Sequence, residues 1–260
     1  MADGGDAAPA LLELAGVSRR FGGLLAVDSV ALQVMQGGIV ALVGPNGAGK
    51  TTLFALIAGF LKPDRGRIRF AGRDIAGLAP HLICRRGLAR TFQIVQPFGA
   101  LSVRENIAVG AHLRHAGRRA ALAHATAMAE RVGMAGMLDQ PAAELTIAGR
   151  KRLELARVLA TGPRLLLLDE VMAGLTPPEI AAIVPVIRGL ADDGLTIVMI
   201  EHVMQAVASL ADEVHVLNQG RLIARGSLAE IAADPVVVEA YLGHGAAAKL
   251  GGGTAGVGGG

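Results

Sequence analysis

A chain of 260 residues can hold one large α/β domain, or a core domain with a smaller appendage, but not several independent units. Hydrophobic residues make up 52% and charged residues 18% of the chain, which excludes disorder of the whole protein. The net charge is only +3 and aromatic residues are 3%, so few side chains can stack on bases and we expect no nucleic-acid partner.

Both ends of the chain have the composition of tails. Residues 1–10 are small and polar and residues 244–260 are rich in glycine, so neither can bury enough apolar area to offset its ordering entropy. No run of about 20 apolar residues is long enough for a transmembrane helix, and the N-terminus lacks a basic and apolar leader. We therefore predict disordered tails over 1–10 and 244–260 and a cytoplasmic protein.

The first predicted elements are short strands. Residues up to 36, together with 67–70, form strand-like runs with turns at glycine pairs, which predicts a small antiparallel layer. Farther along the chain, compact apolar runs over 39–43, 165–168, 196–200 and 213–217 alternate with helix-length segments. Such alternation is typical of a largely parallel sheet covered by helices, so the predicted fold class is α/β.

A phosphate-binding motif follows the strand predicted over 39–43. Residues 44–51 read Gly-Pro-Asn-Gly-Ala-Gly-Lys-Thr and satisfy the pattern G-x-x-x-x-G-K-[ST] at every required position. A helix is predicted to begin near Lys50, so its first N–H groups can face phosphate oxygens. We expect Lys50 to neutralise the β- and γ-phosphates and the Thr51 hydroxyl to bind Mg²⁺. The alternative is a glycine-rich turn that only caps a helix.

The segment from 103 to 160 has a different composition. It is rich in Ala, Leu, Arg and Met and contains no convincing strand, which predicts an inserted helical subdomain. Gln93, just before this segment, is by its chemistry alone only a loop amide.

Two later strands end in ionisable side chains. The leucines 165–168 lead to Asp169 and Glu170, and the strand over 196–200 leads to Glu201 and His202. Beside the phosphate-binding loop of residues 44–51 (the P-loop), Asp169 can hold Mg²⁺ through its water shell. Glu170 can polarise a water for in-line attack on the γ-phosphate. We expect His202 at the same sheet edge, in contact with the γ-phosphate. The alternatives are an ordinary acidic strand end and a structural histidine.

With these motifs in this order, the chain resembles the ATP-binding subunits of ABC transporters from Leu11 to Gly243. The resemblance implies a P-loop NTPase fold, RecA-like, with an antiparallel β-subdomain and a helical subdomain. It implies that Phe21 stacks on adenine, that Gln93 is the Q-loop glutamine with catalytic and metal contacts, and that His202 is the switch histidine. The Walker A contacts that it implies are Gly44, Pro45, Asn46, Gly47, Ala48, Gly49, Lys50, Thr51 and Thr52.

The signature motif of that family corresponds to residues 145–149, where Leu-Thr-Ile-Ala-Gly stands in place of Leu-Ser-x-Gly-Gln. The resemblance implies that Thr146, Ala148 and Gly149 contact the ATP bound by a second subunit. Ala148 carries a methyl group where the family usually has glycine. Thr176, after Walker B, stands where members usually have Asp or Asn.

Several short segments resemble the G-type ATPase subunit of branched-chain amino-acid importers: 90–93, 173–175, 200–202 and 239–243. The resemblance implies ATP and Mg²⁺ as ligands, and a second ATPase subunit that is an F-type partner or another copy. It also implies two transmembrane permease subunits, indirectly a periplasmic or extracytoplasmic solute-binding protein, and a location on the inner face of the plasma membrane.

We expect a single ATPase domain over 11–243. Its nucleotide-binding core covers 11–92 and 161–243, and its helical subdomain, with Q-loop and signature motif, covers 93–160. Three alternatives remain from the sequence: an ATPase of a related urea, amide or other amino-acid importer, a non-transport ABC ATPase, and a regulatory nucleotide binder that does not hydrolyse ATP.

Overall fold

The computed structural model of the protein describes residues 9–92 and 96–242. Gln93 and the tail from 244 to 260 lie outside the described residues, as do the first eight residues of the predicted N-terminal tail.

The described residues form ten strands and nine α-helices. The strands are β1 Leu12–Phe21, β2 Leu24–Val34, β3 Ile39–Val43, β4 Arg65–Phe70, β5 Arg73–Asp74, β6 Leu88–Arg90, β7 Leu165–Asp169, β8 Thr196–Ile200, β9 Glu213–Asn218 and β10 Arg221–Gly226. The helices are α1 Lys50–Ile57, α2 Pro80–Arg85, α3 Val103–Ala111, α4 Arg118–Arg131, α5 Ile147–Leu159, α6 Pro177–Asp192, α7 Met204–Leu210, α8 Leu228–Ala233 and α9 Pro235–Leu242.

The main sheet has six strands in the order β10-β9-β3-β8-β7-β6. All neighbours are parallel except β10, which pairs with β9 in the antiparallel sense. The prediction of a mainly parallel α/β fold is therefore confirmed. Because parallel strands end at one edge, β3, β7 and β8 bring the residues that follow them to the same side of the molecule.

A second sheet has the order β2-β1-β4-β5 and is entirely antiparallel, as predicted. It covers one face of the main sheet. On β7, Leu165 and Leu167 point into the apolar cluster shared with this second sheet and α1, whereas Leu166 and Leu168 belong to the cluster that contains α3, α5 and α6. The strand is buried on both faces, which explains its unbroken run of leucines.

The region between β6 and β7 is helical where it is described, with α3, α4, α5 and two short 3-10 turns at Ala135–Met137 and Ala142–Glu144. Ser102 begins α3 with a capping box, since its side chain accepts from the Glu105 N–H and the Glu105 carboxylate accepts from the Ser102 N–H. The buried side chains of these helices continue the core of the main sheet. Across the described ranges, no helix combines the length and apolarity needed to cross a bilayer.

Candidate nucleotide site

The loop between β3 and α1 is held in a conformation that needs glycine at two positions. Gly44 has φ 152° and Gly49 has φ 102°. A Cβ atom on Gly44 would lie 2.0 Å from the Leu217 carbonyl oxygen, and one on Gly49 would lie 2.3 Å from that of Ala26. Neighbouring backbone therefore lies too close to the loop for any side chain at these two positions, and only glycine fits there.

The Lys50 side chain folds back over this loop at the start of α1. Its Nζ donates to the carbonyl oxygens of Gly44, at 2.8 Å, and Pro45, at 3.0 Å. Burial lowers the pKa of the Lys50 ammonium, while the Glu170 and Asp169 carboxylates act in the opposite direction. The loop thus carries a buried cation whose hydrogen bonds define its position.

Most of the residues that the sequence predicts as nucleotide contacts line one cavity of about 590 Å³. Its lining brings together the P-loop, the end of β1, the residues after β7 and β8, and the turn between β9 and β10. Predicted site residues in this lining are Phe21, Asn46, Gly47, Ala48, Gly49, Lys50, Thr51, Thr52, Glu170 and His202.

Glu170 and His202 meet at the edge of the main sheet. The Glu170 Oε1 lies 3.0 Å from the His202 Nε2, and the side chains are 17% and 46% exposed. Glu170 has φ 50°, a left-handed conformation that is uncommon for a residue with a side chain. Its backbone is fixed on two sides, because its N–H donates to the Ile200 carbonyl at 2.9 Å and its carbonyl accepts from the Lys151 Nζ at 3.1 Å.

Phe21 ends β1 at the mouth of the same cavity. Its side chain is 42% exposed, and the Arg19 guanidinium lies 5.0 Å from the centroid of its ring. An aromatic face that remains open to a cavity beside a phosphate-binding loop can stack on a nucleobase.

Asp169 lies at the end of β7 and is almost fully buried. Its Oδ2 accepts from the Arg90 Nη2 at 2.6 Å, and its N–H donates to the Thr91 hydroxyl at 3.0 Å. Asp169 and Thr51 both line a second cavity of about 830 Å³, which extends between α1, β6, α3 and α5. Thr51 and Asp169, the two residues that the sequence predicts for Mg²⁺ and the structure describes, therefore line a common space.

The signature segment lies outside the lining of both cavities. Thr146 is the N-cap of α5, where its hydroxyl accepts from the Gly149 N–H at 3.1 Å. Ile147 next to it is 62% exposed, and Ala148 is partly exposed. This helix start is therefore presented on the surface of the chain and not to the chain's own P-loop.

Three residues near the site have no role in the sequence predictions. Arg90 pairs with Asp169, and Lys151 binds the Glu170 carbonyl. Glu201 is 2% exposed, and its Oε1 accepts from the Met172 N–H at 3.0 Å. Burial raises the pKa of the Glu201 carboxyl to about 7. Each lies in or beside a predicted motif, but its partner comes from a distant part of the chain.

The chain is similar to known protein families over most of its length. The family described as "ABC transporter" matches residues 27–173, and the family described as "Branched-chain amino acid ATP-binding cassette transporter" matches residues 221–247. The second match covers β10, α8 and α9.

Individual relatives match nearly end to end. The high-affinity branched-chain amino acid transport ATP-binding protein BraF of Pseudomonas aeruginosa is 40% identical over 251 residues, which cover 90% of this chain and 98% of the relative. The corresponding protein LivG of Escherichia coli K12 is 39% identical over 250 residues, with the same shares.

Solved structures match in fold as well. The crystal structure of a nucleotide-free ATP-binding cassette from an ABC transporter superposes with a TM-score of 0.82 and 30% identity, covering 90% of this chain and 100% of that one. An ATP-binding cassette in its ADP conformation gives a TM-score of 0.81 and 31% identity, with 90% and 99% covered.

Proposed function

The chain belongs to the ATP-binding subunits of ABC transporters, and we propose that it hydrolyses ATP to power an importer of branched-chain amino acids. One observation carries the catalytic part of the proposal. The Glu170 carboxylate and the His202 imidazole, 3.0 Å apart, line the same cavity as Lys50 and the P-loop. A phosphate-binding loop and a hydrogen-bonded carboxylate–imidazole pair in one cavity suit the transfer of a phosphoryl group to water.

In this proposal each residue has a separate task. The P-loop backbone and the Lys50 ammonium bind the phosphates, and Phe21 stacks on adenine. Glu170 accepts a proton from the attacking water, and His202 holds the Glu170 carboxylate and contacts the γ-phosphate. Gln93, outside the described residues, keeps its proposed role as the Q-loop glutamine.

The donor set at this edge of the sheet fits Mg²⁺. The Thr51 hydroxyl and the Asp169 carboxylate are hard oxygen ligands, and Mg²⁺ is usually held by one or two such groups together with substrate phosphates. Among the described residues there is no cluster of three or more His, Cys, Asp or Glu side chains suited to a metal. When bound, Mg²⁺ would neutralise charge on the phosphates.

The surface position of the signature helix supports a second ATPase subunit as partner. Because Thr146 and Ile147 are exposed and lie outside the lining of the P-loop cavity, we propose that Thr146, Ala148 and Gly149 contact ATP on the opposite subunit, which is a second copy or an F-type subunit. Two permease subunits and a solute-binding protein complete the transporter. The chain then works at the inner face of the plasma membrane, and nucleic acid is not a partner.

The solute class rests on the relatives, since two of them are named for branched-chain amino acid transport at 39% and 40% identity. To test it, we would co-purify the chain with its membrane subunits, reconstitute the complex in vesicles, and measure phosphate release with uptake of labelled leucine and urea. We expect ATP-dependent leucine uptake that a Lys50→Ala complex lacks. Uptake of urea alone would identify a urea importer, and no phosphate release at saturating ATP would identify a regulatory nucleotide binder.

A further inference from the structure

Arg90 forms the most buried Arg–carboxylate pair seen among the described residues. Its Nη2 lies 2.6 Å from the Asp169 Oδ2, and the two side chains are 9% and 2% exposed. Thr91, the next residue, accepts the N–H of Asp169 through its hydroxyl. Two consecutive residues, the last of β6 and the first after it, thus hold both the side chain and the backbone of the residue proposed to bind Mg²⁺.

The guanidinium group is itself held in place. Its central carbon lies 5.9 Å from the ring centroids of Phe54, Phe60 and Phe92, and the rings of Phe60 and Phe92 meet edge to face at 5.5 Å. The Arg90 Nε is buried and has no hydrogen-bond partner in the described part of the chain. Three aromatic rings within cation–π distance and one charged acceptor suit arginine better than lysine, whose ammonium is a compact, strongly hydrated charge.

The strand order puts Arg90 and the P-loop on opposite sides of Asp169. β7, which ends in Asp169, lies between β8 and β6, and the P-loop strand β3 lies beyond β8. Arg90 is the last residue of β6 and is in register with Leu167, two residues before Asp169. Its contact therefore comes from the outer side of β7.

We propose that Arg90 is a positioning residue for the Mg²⁺ site, which holds Asp169 through Oδ2 and leaves Oδ1 to serve the metal. The inference rests on the proposed function, because it assumes that the substrate is Mg²⁺·ATP. A carboxylate held through one oxygen keeps its orientation in a buried position, so binding the metal does not require ordering the side chain first. Arg90 touches neither the nucleotide nor the reacting atoms in this proposal; it acts through Asp169.

The test measures the Mg²⁺ requirement of nucleotide binding, not only activity. Purified protein is titrated with Mg²⁺ at a fixed concentration of a fluorescent ATP analogue, and binding in EDTA is recorded separately. We expect Arg90→Met to raise the Mg²⁺ concentration at half-saturation about tenfold, as is usual when a group supporting a metal ligand is removed. Binding in EDTA should be unchanged. Arg90→Lys should give a smaller rise, and Arg86→Met, at an exposed arginine four residues earlier in the chain, should give none.

A second pair of variants separates positioning from general damage. If Arg90 acts through Asp169, then adding Arg90→Met to an Asp169→Asn protein leaves the Mg²⁺ midpoint where Asp169→Asn alone puts it. The double variant also removes both buried charges. If it unfolds at a higher temperature than Arg90→Met alone, the instability of Arg90→Met comes from the unpaired Asp169 carboxylate. Should Arg90→Met fail to fold, Arg90→Lys carries the test, with a rise of at least about threefold expected.

Three results would overturn the inference. An Arg90→Met midpoint at or below the wild-type value would mean that the ion pair is structural or competes with the metal. A further tenfold rise in the Asp169→Asn background would mean that Arg90 acts by another route. Wild-type protein without any Mg²⁺-dependent nucleotide binding would overturn the proposed function and this inference with it, whereas the first two results leave the proposed function intact.

Discussion

Replacing Glu201 by glutamine should make the protein more stable at neutral and alkaline pH. Glu201 is 2% exposed, and its carboxyl pKa is raised from 4.5 to about 7, first by burial and then by the nearby Glu170 carboxylate. The N–H groups of Met172 and His202 and the Lys151 ammonium oppose that rise without cancelling it. Glutamine keeps an acceptor oxygen for the Met172 N–H but carries no charge.

The sign and size follow from proton linkage. Because the folded state holds the Glu201 proton more tightly than the unfolded chain, the free energy of unfolding falls as pH rises from about 4.5 to about 7 and is level above that. Each pH unit of the raised pKa is worth about 1.4 kcal/mol, so ionised Glu201 costs the fold about 3 kcal/mol. About 2 kcal/mol of this falls between pH 5.5 and pH 8.

The assay is urea unfolding of both proteins at pH 5.5 and pH 8. We expect the stability advantage of Glu201→Gln over wild type to grow by about 2 kcal/mol between these values. Glu130→Gln makes the same change at an exposed position on α4, where no burial cost is removed, and serves as the control. An advantage for Glu201→Gln that is equal at both pH values would refute the reasoning, because ionisation of Glu201 would then carry no cost.

Two further predictions concern the nucleotide cavity. Gly44→Ala would put a Cβ atom 2.0 Å from the Leu217 carbonyl oxygen. We therefore expect this variant to lose nucleotide binding in a fluorescence titration and to lose about 2 kcal/mol of stability. Gly136→Ala, where a Cβ atom meets no other atom within 4 Å, should match wild type. Phe21→Ala should weaken ATP binding by about 1–3 kcal/mol in calorimetry, the usual value of one base–aromatic contact. Phe98→Ala, an exposed ring outside that cavity, should bind normally, and equal affinities for the two variants would contradict the role of Phe21.

The sequence predicted the main sheet well where strands are buried on both faces. The predicted bounds 39–43 and 196–200 match β3 and β8, since a continuous apolar run between a turn and a polar residue has clear ends. β6 was missed because its three residues are too short for any periodic pattern. β10 was missed because it is an edge strand without fully buried residues and with an antiparallel partner.

At the site, too, the features that could be predicted are those contained in local sequence. The P-loop and the residues after β7 and β8 could be predicted because their chemistry is contained in short contiguous motifs. The ion pair of Arg90 with Asp169 could not, because it joins positions 79 residues apart and depends on β6 lying next to β7. The hydrogen bond from Met172 to Glu201 likewise depends on the order of strands and not on local sequence.

The most direct test of the ATPase assignment compares phosphate release by the reconstituted transporter with wild-type and Glu170→Gln subunits. The Glu170 carboxylate, 3.0 Å from the His202 Nε2 in the P-loop cavity, is the only group here assigned to accept the proton of the attacking water. We expect Glu170→Gln to bind ATP with wild-type affinity, to release phosphate about 10²–10⁴-fold more slowly, and to accumulate as an ATP-bound dimer. Phosphate release at the wild-type rate by Glu170→Gln would contradict this assignment.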